Sequence, residues 1–181
     1  MELPPISEVD FLEFLDFQFQ ATGKPAEEEA LLHLLKLTRT HPKRTQQLAW
    51  AVWRAATGGR LPVRSDLVQQ SYEDLIRSTD TQEFHAILQG LAAGDETAAN
   101  DLRALNVLAD QGGDRLTSRT NALLYGFSSH TRLPDACERL YRRGLVQKVN
   151  GPWRIVDPFF EEWLRVTSPF APASDVIEGH N

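Results

Sequence analysis

The sequence predicts an all-α protein closed by a small β wing. Three observations carry this fold class. Apolar residues recur at helical spacing through most of the first 112 residues, punctuated by Gly and Pro. A lone Asn150-Gly151 pair lies between two short runs rich in β-branched and aromatic residues, the strongest two-residue hairpin signal. The charge also divides along the chain. Residues 1–114 carry 10 Lys and Arg against 18 Asp and Glu, residues 115–165 carry 9 against 5, and residues 166–181 carry none against 2. The net charge of −6 is therefore an acidic body of −8, a basic module of +4 and an acidic end of −2.

Taken in order, Ser7 with Asp10 three residues later reads as an N-cap for a helix whose Phe11, Leu15 and Phe19 recur every four residues, with Leu12 beside them. Gly23 ends it. Pro25 and Glu27 to Glu29 open a second helix, where the dipole favours negative charge, and Leu31, Leu32, Leu34, Leu35 and Leu37 give it a broad apolar face. A third helix is expected from near Thr40 to Gly58-Gly59. Pro42 is tolerated in its first turn, and Leu48, Ala49, Val52 and Trp53 form its buried side. Ser65 then caps a helix carrying Leu67, Val68, Tyr72, Leu75 and Ile76. Thr79-Asp80-Thr81 precedes another with Phe84, Ile87, Leu88 and Leu91. Beyond the weak boundary Gly94-Asp95, a sixth helix with Leu102, Leu105 and Leu108 stops at Gly112-Gly113.

The basic module has a different grammar. A short helix over Ser118 to Leu124 and the turn Tyr125 to Ser129 precede a helix capped by Thr131, since Pro134 fits only in a first turn. Its inner stripe is Leu133, Ala136, Cys137, Leu140 and Tyr141, and Gly144 stops it. Leu145 to Val149 and Trp153 to Val156 follow as strands, with Pro152 marking an edge-type turn. Asp157-Pro158 then caps a closing helix that packs through Phe159, Phe160, Trp163 and Leu164. This is the order of a winged helix-turn-helix. The expected division is a helical domain over 1–112, the winged domain over 113–166, and a flexible tail over 167–181.

Composition excludes several classes. One cysteine makes no intramolecular disulfide, so a reducing, cytoplasmic setting is expected. No run of about 18 apolar residues spans a bilayer, and the first residues lack a signal-peptide pattern. No metal site is expected, because the five histidines never fall at i, i+3 or i+4 and none sits at ligand spacing from Cys137. No catalytic residue is expected either. Cys137 lies on the inner stripe, and Ser128-Ser129-His130 is a turn without an orienting acid. All four tryptophans read as core, although Trp50 is displaced from the Leu48–Val52 face and could mark a contact surface.

The string YGFSSHTRLPDACERLYRRGLVQKVNGPWRIVDPFFEEWLR resembles the C-terminal winged helix of prokaryotic and archaeal AAA-type ATPases related to the STAND class. The upstream strings LPPISEVDFLEFLDFQF and TRTHPKRTQQLAWAVW resemble the helical lid of the same proteins. The resemblance spans residues 3 to 166 and implies a lid-like bundle followed by a winged helix-turn-helix. It also implies a nucleotide-sensing role for His41, Pro42 and Arg44, completed only beside an ATPase core. The simpler reading is that Thr40-His41-Pro42 starts a helix and leaves Lys43 and Arg44 exposed. The chain carries no G-x-x-x-x-G-K-[ST] loop, so no cofactor is expected for it alone, and ATP only in the context of such a core.

Two partners follow from the basic module. If double-stranded DNA, Arg132 and Arg139 are expected to reach a major groove, with Arg119, Arg142, Arg143, Lys148 and Arg154 on phosphates and Thr131 at the helix start. If a protein, the same face docks on an ATPase core or another acidic partner. In either case the arginines compete with a bland alternative, a solvated face paired with nearby acids.

Overall fold

The computed structural model describes residues 7–56, 61–78, 82–92, 96–113, 125–129 and 131–167. They form eight helices and one two-stranded antiparallel sheet. The chain divides into two compact units, Met1–Thr79 and Asp80–Asn181.

The first unit holds α1 (Glu8–Ala21), α2 (Glu28–Thr38), α3 (Pro42–Ala55) and α4 (Ser65–Ser78). Ser7 caps α1 by accepting the Asp10 amide at 3.1 Å, and Phe11, Leu15 and Phe19 form the buried line their spacing implies. The α1 helix is released by Gly23, whose φ of +71° suits glycine. Helix α2 is the centre of the unit, packing on α1, α3 and α4 through Ala30, Leu31, Leu34 and Leu35. Burying each of these leucines contributes about 1.5–3 kcal/mol. Leu32 is exposed, so the face is narrower than expected. Thr38 and Thr45 lock the α2–α3 turn with a buried hydroxyl pair at 2.9 Å. The entry to α2 is tied to the segment before α4, where the Val63 amide donates to Pro25 O at 2.8 Å and the Glu27 amide to Val63 O at 2.9 Å. Gly58-Gly59, the expected stop of α3, lies outside the described residues.

The second unit holds α5 (Gln82–Ala92), α6 (Glu96–Gln111), α7 (Arg132–Arg142), β1 (Val146–Lys148), β2 (Trp153–Ile155) and α8 (Pro158–Thr167). Helix α6 is its spine. It packs on α5, α7, α8 and β2, so Ala104 to Ala109 are buried on every side. That packing gathers α5 and α6 with the helices and strands that follow them into the second unit. Asn106, buried among these neighbours, has no hydrogen-bond partner for Nδ2 among the described residues. An aromatic cluster closes the unit, with Phe84 5.3 Å from Phe160 and 5.4 Å from Trp163 between ring centroids.

Helix α7 begins at Arg132 after Thr131, as the Pro134 argument requires, but Thr131 makes no side-chain cap. Ser129 serves instead: its Oγ accepts the Thr131 amide at 3.3 Å and its carbonyl the Arg132 amide at 3.1 Å. Gly144 ends the helix with φ of +71°. The strands pair Val146 with Ile155, Gln147 with Arg154 and Lys148 with Trp153. Asn150 and Gly151 turn at φ of +53° and +110°. Across that turn the Val149 amide donates to Pro152 O at 2.9 Å, while Pro152 has no amide to return. Asp157 Oδ1 accepts the Phe159 and Phe160 amides at 2.9 and 3.3 Å, capping α8. The expected helix over Ser118–Leu124, the cap at Thr79-Asp80-Thr81, the boundary at Gly94-Asp95 and the expected tail beyond Thr167 lie outside the described residues.

Candidate functional site

Helix α7 and the hairpin behind it present the basic face. Leu133, Ala136, Cys137 and Leu140 hold α7 against the unit, and this leaves Thr131, Arg132, Arg142 and Arg143 exposed. Tyr141 departs from the expected inner stripe. It is 54% exposed, and its ring meets Trp153 edge-on at 5.7 Å. On the hairpin, Val146, Trp153 and Ile155 point inward while Gln147 and Arg154 share the solvent side, as the period of two dictates. Arg119 lies outside the described residues.

Two of the expected DNA-contacting cations have partners inside the unit. Arg139 does not reach outward: Nε and Nη2 donate to Asp101 Oδ1 of α6 at 2.9 and 2.6 Å. The reason is the adjacent α6, where Asp101 is buried and needs a counter-charge. Lys148 donates to Glu138 at 3.2 Å and lies 4.3 Å from the Trp153 ring, an exposed contact worth little by itself. Arg132, Arg142, Arg143 and Arg154 make no ion pair among the described residues. They are the exposed cations of this face that have no carboxylate partner among the described residues.

Around this face α6 anchors two more side chains. Tyr125 donates its hydroxyl to Asp110, which holds the Asp110 carboxyl below its usual range. The Gln111 hydrogen bond adds to this, burial opposes it, and the Arg165 charge adds the least. Burial, and then the Asp110 hydrogen bond, push the Tyr125 phenol up. Arg165 donates from Nε to Ala109 O at 3.0 Å. Cys137 is fully buried, and burial, reinforced by the Asp101 and Glu138 carboxylates, pushes its thiol up to about 12. That is the environment of an inert thiol.

His41, Pro42 and Arg44, for which the resemblance implies nucleotide sensing, lie at a helix start. Pro42 is the first residue of α3, and His41 is its N-cap, with Nδ1 accepting the Arg44 amide at 3.4 Å. Arg44 is 1% exposed and donates to Gln47 Oε1 at 2.8 Å, which corrects the expectation of an exposed basic pair. Its guanidinium contributes to the packing of the first unit. The preceding Arg39 and Thr40 both have left-handed backbone, φ of +49° and +55°, a strained pairing for a β-branched residue.

The helical pattern puts Trp53 on the buried side of α3 and leaves Trp50 as either core or contact surface; in the structure both are exposed. Trp50 is 58% exposed and Trp53 37%. Together with Phe14 they flank an open slot of about 400 Å³ between α1 and α3, floored by Leu15 and Phe19. Across Trp50 a wider trough of about 890 Å³ runs between α3 and α4, lined by Lys43, Arg54, Asp74 and Ser78 among others. The available signal was the offset of Trp50 from the Leu48–Val52 face and of Phe14 and Phe17 from the Phe11–Leu15–Phe19 line.

Among the described residues no group of three or more His, Cys, Asp or Glu could hold a metal ion, and no helix is long and apolar enough to cross a membrane. Comparison with protein-family models, curated proteins and solved structures returned no significant match.

Proposed function

We propose that the second unit is a winged helix-turn-helix, and that the chain is a non-catalytic module binding the phosphate backbone of double-stranded DNA through α7 and the hairpin. One observation carries the reading. Arg132, Arg142, Arg143 and Arg154 stand exposed and without carboxylate partners among the described residues, on a helix and hairpin that share one unit. With Arg139 committed to Asp101, Arg132 alone of the two expected base readers is left to approach a groove. The interaction is therefore weighted toward phosphate contact and is steep in salt. Nucleotide state would reach this module only from an AAA or STAND-like ATPase core of the kind its sequence resembles, in the cytoplasm, because the chain has no phosphate-binding loop of its own.

Fluorescence anisotropy with a labelled duplex tests the reading. Saturable binding at low salt that weakens by orders of magnitude at high salt supports it, and no saturable binding at either salt overturns it. A second reading, docking on an ATPase core or another acidic protein without DNA, is favoured by the same Arg139–Asp101 pair, which removes a base-reading side chain. A light-scattering mass that rises only on adding a core fragment would select it.

A further inference from the structure

The tip of the hairpin carries a reactive pair. Asn150 is exposed and is followed by Gly151, with φ of +53° and +110°. An asparagine amide is lost when the backbone nitrogen of the next residue reaches its Cγ, and glycine, with no side chain, shields that nitrogen least. Space is available here, since a Cβ placed on Gly151 would meet nothing within 4 Å. The Gly151 amide makes no hydrogen bond among the described residues, so no acceptor is given up in the attack.

Whether the nitrogen reaches Cγ depends on the turn. A tight two-residue turn holds the asparagine backbone away from ring closure, and in an ordinary hairpin a pair of backbone bonds keeps it shut. Here one of the pair is missing. The Val149 amide donates to Pro152 O at 2.9 Å, and Pro152 has no amide to return to Val149. A turn closed by a single bond opens more readily. The other described asparagines lack these features. Asn100 and Asn106 are 1% and 5% exposed within α6, where the helix holds the amides that follow them, and their next residues are Asp101 and Val107.

We propose that Asn150 is a modification site, converted with water to aspartate and isoaspartate by the chain's own backbone. The Gly151 nitrogen gives its proton to solvent and bonds to Asn150 Cγ; the Cγ–Nδ2 bond breaks, and ammonia leaves with a proton from solvent. Water then opens the five-membered imide. Breaking the bond from nitrogen to Cγ yields aspartate, and breaking the bond from nitrogen to the main-chain carbonyl carbon of residue 150 yields isoaspartate. One water is consumed and one ammonia released, with no oxidation. Each conversion adds one negative charge to the chain's −6. The new carboxylate stands on the hairpin that carries Lys148 and Arg154, so it weakens the attraction of this face for any anion. The chemistry itself rests on no reading of the partner.

Incubation of the full chain at physiological temperature tests it, followed by trypsin, which releases Val149–Arg154 with Asn150 as its sole side-chain amide. Against an unincubated control, that peptide should give two new forms of equal mass, aspartyl and isoaspartyl, faster in mildly alkaline than in mildly acidic buffer. The peptides holding Asn100 and Asn106 should stay intact. Pro152→Ala, which restores the second turn bond, should slow conversion several-fold. Asn150→Gly, which keeps the left-handed turn, should remove the acidic form seen on ion exchange. An unconverted Val149–Arg154 peptide after weeks in alkaline buffer overturns the proposal. So does equally fast conversion at Asn100 or Asn106, or a rate that Pro152→Ala leaves unchanged.

Discussion

Arg139 of α7 donates twice to one carboxylate oxygen of Asp101 on α6, at 2.9 and 2.6 Å. Asp101 is almost wholly buried while Arg139 keeps about a third of its side chain in solvent. The pair therefore pins the basic helix to the spine of its unit. Removing one partner of a buried pair strands the other charge at about 3–5 kcal/mol, and the partial exposure of Arg139 lowers this. Arg139→Ala is expected to cost about 2 kcal/mol in urea unfolding. Arg132→Ala, at an exposed position, should stay within about 0.5 kcal/mol. Equal losses in the two variants would show that the pair does not hold α7.

Gly113 and Gly112 are expected to fail for different reasons. A Cβ on Gly113 would lie 2.5 Å from the Trp153 backbone nitrogen and closer still to its carbonyl oxygen. No side-chain motion relieves a clash with backbone, so Gly113→Ala should cost about 3 kcal/mol by prising β2 from the end of α6. Gly112 meets nothing within 4 Å, and only its φ of +69° opposes a side chain, so Gly112→Ala should cost about 1 kcal/mol. Thermal unfolding of the two variants checks the order.

The Asp110–Tyr125 bond gives stability a pH dependence at both ends. Asp110 is held below its ordinary value, chiefly by Tyr125, so its contribution is full above the usual carboxylate range and disappears as pH falls through its folded value. Tyr125 is raised, chiefly by burial, so its contribution is full below the usual phenol range and disappears as pH climbs beyond about 10. Tyr125→Phe should flatten the acid loss below about pH 4 and remove the alkaline loss. A melting-temperature profile unchanged in shape would contradict this.

Cys137 should be silent to thiol reagents in the folded protein. It is buried, and its thiol is pushed up to about 12, so almost no thiolate exists near neutral pH. Reaction with a disulfide reagent should follow unfolding of the second unit, with one equivalent consumed in denaturant. Rapid native reaction would show that α7 opens freely.

The parts legible in the sequence are those with local causes. Ser7, Gly23, Gly144, Asn150-Gly151 and Asp157 act on the residues beside them, so their caps and turns appear where the pattern puts them. The inward line of Leu133, Ala136, Cys137 and Leu140 follows from helical spacing alone. What a single helix pattern does not encode is how many neighbours surround it. Asp101 and Asn106 are polar residues on different sides of α6, yet neighbours on all sides bury both. Arg139 reads as outward for the same reason, since its partner lies 38 residues earlier. Trp50 and Trp53 invert the error: large apolar rings read as core, and no described helix covers them.

Phosphate contact by the exposed arginines of α7 and the hairpin is the proposed basis of DNA binding. The most direct measurement is duplex affinity against salt for the wild-type chain, Arg142→Ala/Arg143→Ala, and Arg139→Ala. Each lost phosphate contact lowers the slope of log affinity on log salt by about 1, so the double variant should lose about 2 units of slope. Arg139→Ala, whose side chain is committed to Asp101, should keep the wild-type slope. Absence of saturable binding by the wild-type chain at low salt, or one slope shared by wild type and the double variant, would show that these arginines do not meet phosphates.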